Sequence, residues 1–176
     1  MKKRKILREI FSYAKHLGIG IIVAVIINST VLANAVVISG SMEGTIMTDS
    51  RVIGLRVAYL FNEPQRFDII LFEDPNKVSE IPLIKRIIGL PGETVEIING
   101  KVYINNSDAA LDDSFIKEDA RGDYGPFIVP ENSYFVLGDN RNFSFDSKDW
   151  RNAFVSKDMI KGKLYVSYFP SPKILG

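Results

Sequence analysis

A mostly β fold behind a single membrane-crossing helix is what this sequence predicts, on three observations. An uncharged apolar run, "LGIGIIVAVIINSTVLANAVVI", follows a basic N-terminal tail. Past residue 50 the chain breaks into short runs rich in Val, Ile, Leu and Phe, each closed by turn residues. Asn99-Gly100 then sits between two such runs, which is the strongest short hairpin signal, because a type I′ turn needs positive φ at both central positions. The expected layout is a basic tail over 1–16, a membrane anchor over 17–38, and an antiparallel, barrel-like β domain over 39–176.

The tail and the apolar run justify the anchor. Of the 22 basic residues, six fall in residues 1–16 beside one of the 21 acidic ones, leaving 16 against 20 beyond. The 22 residues from Leu17 to Ile38 would make a helix of roughly 33 Å, enough for a bilayer core. Lys and Arg crowd the N-terminal side and do not return until Arg51. By the positive-inside rule, the tail is cytoplasmic and the domain extracytoplasmic. The same pattern, with Ala33-Asn34-Ala35, also fits a cleavable secretory signal. Either way, residues 39–176 are exported. With no cysteine in the chain, they carry no disulfide and no thiolate.

Within the exported part, "RVIGLRVAYL" and "RFDIILFED" read as strands. "IPLIKRIIGLPG" is a strand running into a turn, and "ETVEII" with "KVYINN" form the hairpin. Residues 106–132 are polar and turn-rich, an extended excursion. "SYFVLGD" and "KGKLYVSYFP" are further strands, and "SKDMIKG" is the one short helix expected.

The residues available for chemistry are few. His16, the sole histidine, lies on the wrong side of the apolar run, so a Ser-His-Asp triad and histidine metal sites are both excluded outside the membrane. Phosphate-binding loops are missing, and the net-negative exported part argues against nucleic acid. Carboxylate pairs, or a hydroxyl activated by lysine, are what remains. A lysine base must fall from pKa ~10.4 toward ~7, which apolar burial achieves. In "PLIKRIIGL" strand alternation puts Lys85 between Leu83 and Ile87, with Arg86 on the opposite face. Pattern alone favours the other reading, a lysine snorkelling from a strand edge. Ser41, beside Gly40, can take a tight turn that offers its own N–H to an oxyanion, with Ser39 in reach of the same spot.

Three separated segments resemble one family in order and spacing. "SGSMEGT" is similar to the S-G-x-S-M-x-P-T signature of type I signal peptidases, the membrane-bound serine-lysine proteases. "IKRIIGLPGE" resembles their lysine segment, and "LGDNRNFSFDSKDW" their G-D-N-R-x-x-S-x-D-S-R segment. The similarity covers about residues 36–169. It implies Ser41 as nucleophile, Lys85 as general base and Ser39 as oxyanion donor. It further implies that Ser144 orients Lys85, and that Asp146, Asp139 and Arg86 form the charged support. It implies no metal and no organic cofactor, and as partners the lipid bilayer and preprotein signal peptides cut after small residues, as in A-x-A.

Four positions depart from the family pattern: Ile38 and Gly44 replace prolines, Phe67 a glycine, and Lys148 an arginine. Gly44 and Lys148 keep open a rival of another class, a tethered β domain that binds or scaffolds exported polypeptides without cutting them. A soluble self-cleaving repressor with the same chemistry would need a DNA-binding domain where this chain has an apolar helix.

Overall fold

The computed structural model of the protein describes residues 2–175. Helix α1 spans Lys2–Thr30. Its segment Phe11–Val31, 21 residues, is long and apolar enough to cross a membrane and is not buried against the rest of the chain. The expected helix over Leu17–Ile38 is shorter than the apolar run: residues after Thr30 leave the helix, and Leu32–Val36 form strand β1. Ser29 and Thr30 donate their hydroxyls back to the Ile26 carbonyl at 3.1 and 2.7 Å, a local competition that weakens helix propagation. Beyond that point the burial pattern has period two. Ala33 and Val37 are buried, while Asn34 and Val36 are exposed. Ala33-Asn34-Ala35 therefore lies inside a paired strand, with Ala33 fully buried.

Strand β1 starts the main antiparallel sheet. The strands that follow in that sheet, in chain order, are β2 (Arg51–Leu55), β3 (Ile69–Phe72) and β4 (Leu83–Gly89). The chain then enters a second, three-stranded sheet of β5 (Thr94–Ile98), β6 (Lys101–Ile104) and β7 (Tyr124–Ile128). It returns as β8 (Ser133–Leu137), β9 (Val155–Ser156), β10 (Ile160–Phe169) and β11 (Lys173–Ile174). The large sheet runs β1-β2-β10-β3-β4-β8-β9 with β11 beside β10, and the small one β6-β5-β7. The mostly β, antiparallel prediction holds.

The hairpin forms as expected, with Asn99 at φ 49° and Gly100 at φ 77° between β5 and β6. Three elements differ. The strand expected over "RVIGLRVAYL" stops at Leu55 and gives way to a 3-10 turn, Arg56–Tyr59. The 106–132 excursion contains β7, which pairs with β5 although Gly125 and Pro126 interrupt it. The expected short helix shrinks to a 3-10 turn over Lys157–Met159.

Three apolar clusters hold the sheets. β3 is buried on both faces: Ile69 and Leu71 join Met42, Ile46 and Val52, while Ile70 and Phe72 join Ile87, Tyr134 and Trp150. The first cluster matters for chemistry, because Met42 and Ile46 peg the segment after Ser41 into the core. The third cluster dries the face of β4 that carries Lys85.

Candidate active site

Lys85 sits mid-strand on β4, only 4% exposed. Its side chain shares a face with Leu83 and Ile87, as alternation predicts, and Ile70 stands directly opposite on β3. That apolar wall disfavours the ammonium form, and burial lowers the lysine pKa from its ordinary 10.5 to about 8. Asp146 and Asp139 push the other way, and Lys148 assists the lowering. The amine has one fixed partner: Lys85 Nζ donates to Ser144 Oγ at 3.0 Å. No carboxylate among the described residues makes a salt bridge to it.

Ser41 lies in a 3-10 turn, Gly40–Met42, entered from the extended Ser39. It is buried, and its Oγ is 3.3 Å from Ser39 Oγ. Asn140 clamps this turn: its backbone N–H donates to the Ser41 carbonyl at 3.0 Å, and its Nδ2 to the Gly40 carbonyl at 2.9 Å. In a trans peptide the C=O and the next N–H point oppositely. With the Gly40 carbonyl held by Asn140, the Ser41 N–H of the same peptide faces away from that loop. Gly138 makes the close approach possible, because a Cβ there would overlap both Ser144 Oγ and the Ser41 carbonyl. The sequence reading gave neither Asn140 nor Gly138 a role, since their contacts lie about a hundred residues away along the chain. Their only signal was membership of the "GDNR" segment.

Ser41 and Lys85 both line two adjoining cavities of about 100 and 350 Å³. The structure thus brings Ser39, Ser41, Lys85 and Ser144 together.

The charged support divides in two rather than forming one cluster. Arg86 gives Asp139 a bidentate pair at 2.8 and 2.7 Å, donates to the Phe67 carbonyl, and lies 4.3 Å over the Phe115 ring. Asp146, fully buried, accepts from the Gly138 N–H at 2.9 Å and pairs with Lys148 at 3.1 Å instead of with Arg86. The first pair fixes β4 to the loop after β8, and the second fixes the loop bearing Ser144.

Comparison with known proteins now decides the family. The "Signal peptidase, peptidase S26" family matches residues 10–169. The chain belongs to that family. Among its relatives, a probable signal peptidase I-2 from Synechocystis is 36% identical over 164 residues, covering 91% of this chain and 73% of that protein. Signal peptidase I S from Bacillus subtilis is 34% identical over 173 residues, covering 92% and 90%. A crystal structure of a signal peptidase I from Enterococcus faecalis is 36% identical and covers 58% of this chain and 97% of that one, with a TM-score of 0.46.

The departures from the family pattern acquire physical content in the structure. Gly44 adopts φ +105°, which proline's ring forbids, so a proline could not take the backbone conformation found here. Phe67 sits at φ +73°, a conformation that favours glycine, and its ring packs edge-on against Phe115 at 5.7 Å. Lys148 directs its ammonium to three acceptors: the Ser144 carbonyl at 2.8 Å, Asp146 at 3.1 Å and Asp149 at 2.9 Å. Three separate acceptors suit an ammonium's three donors, where a planar guanidinium fork would need a paired carboxylate edge. Ile38 remains exposed at the rim of the smaller cavity.

Proposed function

We propose that this protein is a membrane-bound signal peptidase that cuts exported preproteins with a Ser41–Lys85 dyad. The observation that carries the reading is a desolvated Lys85 whose one polar anchor is a hydroxyl, in a cleft shared with Ser41. Neutral Lys85 removes the Ser41 proton as Oγ attacks the scissile carbonyl. The oxyanion takes hydrogen bonds from the Ser41 N–H and the Ser39 hydroxyl. The amine is expelled with the proton from Lys85, leaving an acyl-enzyme. Lys85 then activates the water that releases the signal peptide.

Topology follows from charge and length. The basic tail stays cytoplasmic, Phe11–Val31 crosses the bilayer, and the β domain faces outward. A signal peptide in the same bilayer would emerge extended and pair with exposed strand edge near Val36–Ser39. The small cavity there favours small side chains before the cut.

The test is cleavage of a preprotein with an A-x-A site by detergent-solubilised protein. Wild type should cut after the small residue. Ser41→Ala and Lys85→Ala should each lose at least ~10³-fold in rate. Uncut substrate with wild type, or equal cutting by either variant, would end the proposal.

A further inference from the structure

The two cavities that meet at Ser41 and Lys85 differ in their walls. The smaller is closed by Val36, Ile38 and Met42 on one side and by Ile81, Pro82 and Ile84 on the other, so it adjoins the strand that continues from α1. The larger shares Ser39, Ser41 and Lys85 and then extends to Phe143, Phe145 and Trp150. Phe143 is 75% and Phe145 69% exposed, although they bracket the buried Ser144. Neither ring has any part in the dyad chemistry, and large aromatic rings left in solvent beside a reacting centre call for an occupant. Asp74, Asn76, Val78 and Ser79 also line this cavity, in a preformed loop. The Asp74 carboxylate accepts from the N–H groups of Asn76, Val78 and Ser79, and Asn76 exchanges hydrogen bonds with Asn152.

We propose that the larger cavity binds the first residues after the scissile bond, and that Phe143 and Phe145 favour apolar side chains there. The inference rests on the serine-lysine endopeptidase reading. A chain attacked at Ser41 has one half on each side of that oxygen, and both cavities reach it. The signal half shares a bilayer with α1 and takes the cavity beside α1's continuation. The departing half is left the aromatic one. An extended chain passing the two rings covers apolar area on both partners, which gives the cavity its preference.

The timing of the reaction supplies the test. The departing half is present during acylation and gone before the acyl-enzyme is hydrolysed. Full-length protein in nonionic detergent is mixed with soluble peptides sharing one A-x-A segment and carrying Leu-Leu or Asp-Asp directly after it. The burst of released C-terminal fragment measures acylation, and the following steady phase measures hydrolysis. Wild type should acylate the Leu-Leu peptide faster. Phe143→Ala and Phe145→Ala should shrink that ratio about tenfold, and Phe→Leu at either position should keep part of it. Hydrolysis rates and the pH midpoint set by Lys85 should not move, which separates lost binding from a disturbed Ser144. A wild-type ratio of one, or a ratio unchanged in both alanine variants, overturns the inference. So does a pair of variants that lose cleavage only on lipid vesicles, since the rings would then be membrane contacts. Wild type that cuts neither peptide would instead refute the endopeptidase reading itself.

Discussion

Lys85 and Arg86 are consecutive on β4, both buried, and they face opposite sides of the sheet. Arg86 meets a carboxylate fork, a backbone carbonyl and an aromatic face, so its charge is fully compensated. Lys85 meets aliphatic side chains and one hydroxyl. The contrast shows that burial alone does not decide what a cation does. A buried charge with a counter-charge fastens the fold, and one without is drawn toward its neutral form. The acid that most favours the Lys85 ammonium, Asp146, is already paired with Lys148.

Removing the compensation on the Arg86 side should produce the largest change. Asp139→Asn leaves a buried guanidinium unpaired and should cost about 3–5 kcal/mol in urea unfolding of the detergent-solubilised protein. An Asp139→Asn variant as stable as wild type would erase the distinction between the two faces.

A smaller effect should come from Lys148→Met. With that ammonium gone, the Asp146 carboxylate acts on Lys85 unopposed and favours its protonated form. The pH midpoint of cleavage should therefore rise above the wild-type value, so that less activity remains at neutral pH. An unchanged midpoint would mean that Lys148 does not screen the base.

The smallest change belongs to the Phe67 turn. Phe67→Ala loses the Phe115 contact while keeping φ near +73° on a residue with a Cβ, whereas Phe67→Gly loses the contact and relieves the strain. Glycine should be more stable than alanine here by about 1 kcal/mol, read from thermal or urea midpoints. Equal stabilities would show that the backbone at this position relaxes in the variants.

What was legible beforehand follows the range of the interactions. Strand alternation placed Lys85 and Arg86 on opposite faces, and Asn-Gly fixed the β5–β6 hairpin, because both signals act between near neighbours. β1 was hidden, since Leu32–Val36 prolongs the apolar run without a charged residue and only pairing with β2 makes it a strand. β7 was hidden by Gly125 and Pro126, which read as a loop. Asn140 and Gly138 owe their roles to contacts with the Ser41 turn, which no local pattern carries. The replacement of arginine by Lys148 is plain in the sequence, whereas the three acceptors that suit it are set by the folded loop.

The pH dependence of Ser41 acylation, measured as the burst of released fragment, addresses the free amine most directly. A lysine pKa of about 8 means the neutral, proton-accepting form grows as pH rises, so the rate should climb through a midpoint near 8 and then level off. A rate that keeps climbing to the ordinary lysine range near 10.5, or one that shows no titration at all, would contradict a desolvated Lys85 as the base.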